Sequence, residues 1–309
     1  SQLMSMSRKL QYQRLVESGA LGRLPFIQID SLDKENARVV FQGTEGAYGQ
    51  AAMHQFFGDD VNCFHVRTFR DAMEAIEEGS ADYAVLPIEN SSAGPVNEMY
   101  DLLDEFENYI VAETILPVVH TLSGLPGTKL SEIKRVYSKA EALMQTTRFL
   151  DDHSDWQRIS VVNTAIAAKK VLEDQDKAQA AVCSTYAAKL HGLEVLVDEI
   201  NDEEDNSTRF IVVTNQKIFL KDASKISIEF ELPHESGSLY NILSHFIYND
   251  LNMTKIESRP VEGKQWEYRF FVDFDGNLED AAVKNAIRGL REEARNLRIL
   301  GNYSIDGQI

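Results

Sequence analysis

Two short stretches of this chain deliver hydroxyls, amides and charges to places where apolar runs end. In "VLPIENSSAGPV" a buried strand runs into Glu89, Asn90, Ser91 and Ser92, followed by Gly94 and Pro95. Four polar groups at the end of such a strand suit a small polar ligand, although an Asn/Ser turn capping the next helix would use the same letters. In "DEINDEEDNSTRFIVVTN" an acidic loop gives way at Thr208-Arg209-Phe210 to an apolar strand. A hydroxyl fixed at a loop–strand junction is well placed to donate a hydrogen bond to a departing oxygen or to relay a proton. The plainer alternative has Arg209 anchoring the loop to nearby acids. The same tripeptide recurs at Thr147-Arg148-Phe149, inside a helical stretch where Leu143 and Leu150 lie two turns apart. There Arg148 is expected to face solvent and Phe149 to pack.

A third stretch, "GTEGAYG", spaces Gly43, Gly46 and Gly49 by three residues between a strand and a helix. Glycine allows close backbone approach, and a helix N-terminus favours an anion. An ordinary tight turn fits equally well, and the spacing is not that of the dinucleotide fingerprint. No Cys-x-x-Cys or His-Glu-x-x-His is present and the seven histidines are scattered, which argues against a zinc site. Cys63 and Cys183, far apart in sequence, are expected as buried reduced thiols, consistent with the cytoplasm. The balance of 49 acidic to 31 basic residues, a formal charge of -18, disfavours nucleic acid and anionic membranes as partners. No apolar run is long enough to span a bilayer, and the N-terminus has no signal-peptide pattern.

These residues need a scaffold, and the chain supplies an alternation. "RVVFQ", "ADYAVLPIEN", "YIVAETILPVV", "KRVYS", "ISVVN", "AQAAVCS", "LEVLVDEI" and "RFIVVTN" read as strands separated by helical stretches, one of which aligns Phe69, Met73 and Ile76. This predicts an α/β architecture of two lobes with mostly parallel sheets over residues 38–216, with ligands beyond the carboxyl ends of the strands. Upstream, residues 1–18 carry a helical stripe and residues 19–37 read as a linker. Downstream, residues 224–305 give β-α-β-β-α-β, the α+β ferredoxin-like motif, whose bare face and edges are natural pairing surfaces.

The stretches "VVFQGTEGAYGQAA", "VLPIENSSAGPV", "VYSKAEALMQTTRFL", "AAVCSTYAAKLHGLEVL" and "INDEEDNSTRFIVV" resemble, in order and spacing, the prephenate dehydratase catalytic domain, whose two lobes are periplasmic-binding-protein-like. "SGSLYNILSHFIYNDLNMTKIESRP", "EYRFFVDFDG" and "LRILGNYS" resemble the ACT regulatory domain. "LMSMSRKLQ" is similar to the last helix of a chorismate mutase domain, with Ser7 and Gln11 at its pocket positions; no mutase activity is expected from so short a segment.

The resemblance implies conversion of prephenate to phenylpyruvate without a metal or redox cofactor, since aromatisation drives the reaction. It implies Thr208, Arg209 and Phe210 as catalytic residues, with Thr208 at the reacting hydroxyl. Substrate binding falls to Gly43, Thr44, Gly46, Ala47, Tyr48, Glu89, Asn90, Ser91, Ser92, Ser138 and Lys139. Arg209 and Lys139 are expected to meet the dianion, with the acids Asp202–Asp205 turned to solvent. Lys139-Ala140-Glu141 replaces the family's usual His-Pro-Gln. Phenylalanine as effector is implied at Gly237, Ser238, Leu239, Asn252, Glu257, Ser258 and Arg259, in a homodimer or homotetramer paired through ACT domains. Arogenate as substrate, or a non-catalytic two-lobed sensor, are the rival readings.

Overall fold

The computed structural model describes residues 25–305, so the expected first helix with Ser7 and Gln11, and residues 19–24 of the linker, lie outside the described residues. The first lobe contains β1 (Ile27–Ile29), β2 (Arg38–Gln42), α1 (Tyr48–Phe57), β3 (Asn62–Val66), α2 (Phe69–Glu77), β4 (Tyr83–Asn90), the two-residue β5 (Gly94–Pro95), α3 (Asn97–Glu105) and β6 (Tyr109–Pro117). The second contains β7 (Thr121–Gly124), β8 (Arg135–Ser138), α4 (Ala140–Met144), α5 (Thr147–Asp151), β9 (Gln157–Ser160), α6 (Thr164–Asp174), β10 (Gln179–Cys183), α7 (Thr185–Leu190) and β11 (Glu194–Val197). The chain then returns to the first lobe as β12 (Ser207–Thr214), and β13 (Ile218–Leu220) pairs with β1, making part of the expected linker a strand.

Local chemistry fixes the helix starts. Thr68 opens α2 with a capping box: its hydroxyl accepts from the Asp71 N–H at 3.1 Å, and the Asp71 carboxylate accepts from the Thr68 N–H at 3.0 Å. Asn163 and Ser184 cap α6 and α7 in the same sense. Behind these caps Met73 and Ile76 are fully buried against Val40, Leu86 and Met99. No described helix is long and apolar enough to cross a membrane.

The sheets are mixed, not mostly parallel. β2 lies parallel to β3 and β4, and β8 to β9 and β10, but β12 runs antiparallel between β4 and β6. The reason lies in the crossovers. Lobe two starts where β6 ends, so the returning β12 begins at that same end, with Ser207 opposite Pro117. β7 likewise starts where β10 ends, with Thr121 opposite Cys183.

After β13 come β14 (Lys225–Glu231), α8 (Ser238–Tyr248), β15 (Met253–Pro260), β16 (Tyr268–Asp275), α9 (Ala281–Glu293) and β17 (Arg295–Tyr303), in sheet order β15-β16-β14-β17. Alternation along β14 buries Ile226, Ile228 and Phe230 against Ile242, Phe246, Val283 and Ile287 of the two helices. Trp266 sits in the turn before β16 with φ 63° and is 77% exposed. The helix-free face was expected as a pairing surface but is covered by lobe one. Phe271 meets Tyr100 edge-on at 5.0 Å, and Arg298 donates to the carbonyls of Leu103, Asp104 and Phe106 at the end of α3. β17 lies beside β6 where Gly301 faces Ile110, and a Cβ on Gly301 would drive into the Ile110 carbonyl. The two sheets therefore run on as one of ten strands.

Candidate active site

The register of β12 on β4 sets Thr208 opposite Asn90 and Arg209 opposite Glu89. Since side chains alternate along a strand, the first pair lies on one face and the second on the other. Asn90 Oδ1 accepts the backbone N–H groups of Ser92 and Ala93, both at 2.9 Å. That fixes which way its amide is turned, so Nδ2 donates toward Asn206 Oδ1 at 2.9 Å and Thr208 Oγ1 at 3.0 Å. With one lone pair of Oγ1 occupied by Asn90, the half-buried Thr208 hydroxyl keeps its own proton to donate elsewhere.

The pair belongs to a longer chain of polar side chains. Asn206 Nδ2 donates to Gln145 Oε1 at 3.1 Å, which also accepts from His120 Nε2 at 2.8 Å. His120 Nδ1 lies 3.1 Å from the Tyr48 hydroxyl. Burial holds His120 below the ordinary histidine range, and burial likewise pushes the Tyr48 phenol up. A neutral ring protonated on Nε2 and accepting Tyr48 O–H at Nδ1 satisfies every member. His120 lies on the outgoing crossover, Asn206 on the returning one and Gln145 at the end of α4, so the network ties the two crossovers to the glycine-rich turn through Tyr48.

That turn also approaches the second lobe. An added Cβ at Gly46 would meet Leu190 at 3.3 Å and Ala165 and Ala187 at 3.5 Å, and its φ of 88° already favours glycine. Gly43, at φ 118°, donates its N–H to the Val66 carbonyl. Thr44 Oγ1 is buried without a hydrogen-bond partner among the described residues. α1 follows Ala47, an N-cap residue that offers no side-chain cap, and has no acidic residue in its first turn, leaving a terminus that favours an anion.

A family model described as prephenate dehydratase matches residues 39–218, more than half of the chain. The chain belongs to the prephenate dehydratase family. It is 32% identical to the bifunctional chorismate mutase/prephenate dehydratase of Escherichia coli over 94% of this chain and 78% of that protein. It is 37% identical to arogenate dehydratase/prephenate dehydratase 2 of Arabidopsis thaliana, over 87% of this chain and 73% of that one. The prephenate dehydratase of Arthrobacter aurescens solved in complex with L-Phe superposes with TM-score 0.80 at 33% identity, covering 86% of this chain and 89% of that one.

Within this dehydratase framework several expected site residues prove to be engaged elsewhere. Arg209 does not face the Thr208 side of the sheet. Its guanidinium lies 3.1 Å from Glu89, 3.0 Å from Glu113 and 3.4 Å from Asp273 of the C-terminal unit. Glu89 is held by Arg209 and by Lys255 at 2.6 Å, so it too serves the opposite face. Phe210 is core, packed with Phe41, Met53, Val85 and Val212. Ser91 donates to the Asp205 carbonyl and accepts the Ser207 N–H, while Ser92 donates to Glu203; both hold the acidic loop in place. Ser138 is buried and donates to the Val182 carbonyl at 2.6 Å, and Lys139 pairs with Glu141 at 2.9 Å.

The acids are not all turned to solvent. The Asp202 carboxylate accepts the N–H groups of Thr147 and Arg148, capping the helix that carries the second Thr-Arg-Phe. Arg148 there is exposed at 78% and Phe149 packs by Trp156, as expected. The residues set aside for phenylalanine are also divided. Gly237 opens α8 with φ 83°, Ser238 donates to the Glu235 carbonyl, Leu239 is exposed and Asn252 donates to Asp275. Arg259 instead pairs with Asp101 of α3, and Glu257 with Lys255. Reading the sequence missed His120, Gln145 and Asn206. Only Asn206, two residues before Thr208, had a signal of position.

Proposed function

We propose that this protein catalyses the decarboxylating dehydration of prephenate, with Thr208 donating a hydrogen bond to the departing 4-hydroxyl. The carboxylate carbon–carbon bond breaks, its electrons pass through the ring, and the carbon–oxygen bond breaks at the far side. Phenylpyruvate, CO2 and water form with uptake of one proton. A threonine hydroxyl is too weak an acid to supply that proton outright. It can hold the leaving oxygen while the proton arrives, a preorganised contact of the kind worth about 10²–10³ in rate. The observation that carries this reading is the locked Asn90 amide, which leaves the proton of Thr208 free to donate. The substrate carboxylates are assigned to the uncapped end of α1 and the Thr44 hydroxyl, because Arg209 and Lys139 have other partners.

The unit over 224–305 is assigned as an ACT domain that binds phenylalanine: the L-Phe complex of the Arthrobacter relative supports the ligand, and the sequence resemblance supplies its position near Gly237, Ser238 and Leu239. Pairing of two such units is supported by the exposed apolar side chains Tyr240, Ile247, Tyr248 and Ile256. Arogenate is the competing substrate, since the name of the Arabidopsis relative gives both activities. Phenylpyruvate formed from prephenate, measured beside phenylalanine formed from arogenate, tests the reading. A higher kcat/KM with prephenate is expected, and turnover of neither substrate removes it.

A further inference from the structure

Behind the Asn90–Thr208 pair, on the opposite face of the same two strands, lies a closed cluster of charges. Arg209 and Glu89 from the dehydratase lobe meet Asp273 and Lys255 from the C-terminal unit, and Glu113 of β6 sits between Arg209 and Lys225, 3.0 and 3.1 Å away. Four carboxylates, Glu257 at 3.4 Å from Lys255 being the fourth, face three cations. Glu113 is 1% exposed, and the Arg209, Lys225, Lys255 and Asp273 side chains between 13% and 17%. Asp273 is itself fixed by Ser227 Oγ at 2.6 Å, which touches Tyr303 Oη at 2.7 Å. Where charges leave water, each depends on its partners, and removing one leaves others uncompensated.

We infer that Arg209 and Glu89 are positioning residues through which the C-terminal unit holds the Asn90–Thr208 pair in register. Each is one residue along the backbone from a member of that pair. A backbone shift that breaks Arg209 from Asp273, or Glu89 from Lys255, moves Thr208 or Asn90 with it. The β-bulge between Arg209 and Phe210 marks where the β12–β4 ladder is already irregular. The second grip is on α3, which follows the Asn90 loop: Arg259 holds Asp101, and Arg298 the last carbonyls. The loop is thus bracketed on both sides by the C-terminal unit. This inference rests on the dehydratase reading for its catalytic consequence, but not for the tether itself.

The test uses the full chain carrying Asp273→Asn with Lys255→Met, both remote from the proposed substrate contacts. Amide exchange over residues 207–210 is expected to speed up roughly fivefold while that over β10 is unchanged. Turnover of prephenate should fall about tenfold with KM within about twofold, and the conservative Asp273→Glu with Lys255 intact should keep most of it. Should the double variant fail to fold, Lys255→Met alone is read the same way. Unchanged exchange, or faster exchange with kcat within about twofold of the parent, overturns the inference. A parent protein that never turns over prephenate removes the dehydratase reading instead, and the exchange comparison then decides the tether alone.

Discussion

Asn90 Nδ2 lies 3.0 Å from Thr208 Oγ1 across adjacent antiparallel strands, and Asn90 Oδ1 is held by two backbone N–H groups. The amide cannot turn over without losing both of those bonds, so the threonine always meets a donor. Its hydroxyl is thereby an acceptor from the protein and keeps its own proton for another partner.

Reversing that polarity makes a direct test. In Asn90→Asp a carboxylate replaces the amide, keeps the two backbone N–H bonds and offers its other oxygen to Thr208. The threonine proton then turns away from the substrate. Turnover should fall on the order of 10²-fold with little change in KM, while Asn90→Ala, which frees the hydroxyl to rotate, should lose less. Steady-state kinetics on the two variants give the ranking, and a milder loss for Asn90→Asp would contradict it.

His120 makes the stability of the fold depend on pH. Burial lowers its folded-state pKa, outweighing the Gln145 hydrogen bond and Glu141, which act the other way. Below the unfolded value of about 6.5 the unfolded chain binds a proton that the folded chain refuses. The contribution is fully present above that value and is lost as pH falls, with a slope of at most about 1.4 kcal/mol per pH unit. Denaturant melts between pH 5 and 8 should show this slope, and His120→Asn should flatten it. Acidification also protonates Nδ1 and ends its role as acceptor for Tyr48.

Glu229 has the opposite sign. Burial pushes its carboxyl up to about 7, against the pull of Arg298 and with help from Glu231. The folded chain holds this proton after the unfolded chain has released it, so stability is present below the unfolded value near 4.3 and lost as pH rises through about 7. Glu229→Gln should therefore be the more stable protein at pH 8, by on the order of 2 kcal/mol, with the gap closing near pH 4. Melts of both proteins at the two pH values measure it, and a gap that widens on acidification would be inconsistent with a buried, raised carboxyl.

Part of this site could be read from letters alone, because part of it is local. A hydroxyl where the acidic loop meets a strand, an asparagine at the end of a buried strand and a glycine turn before a helix are all set by neighbouring residues. Period-two alternation also implies that Arg209 points away from Thr208. It does not say what covers that side, and here the answer is a unit whose contacting residue Asp273 lies 64 positions away. The hydrogen-bonded chain was illegible for the same reason. Tyr48, His120 and Gln145 meet over separations of 72 and 25 residues, which only the paired crossovers bring together. The mixed sheet direction followed from those crossovers too, and no periodicity records where a chain re-enters a sheet.

Thr208→Val isolates the one oxygen on which the chemistry turns, since the side chain keeps its shape and loses only the hydroxyl. Single-turnover and steady-state rates of phenylpyruvate formation are expected to drop by about 10²–10³ with KM within roughly threefold, and Thr208→Ser should recover part of the loss. A valine variant that turns prephenate over at close to the parent rate would show that the water leaves without this hydroxyl.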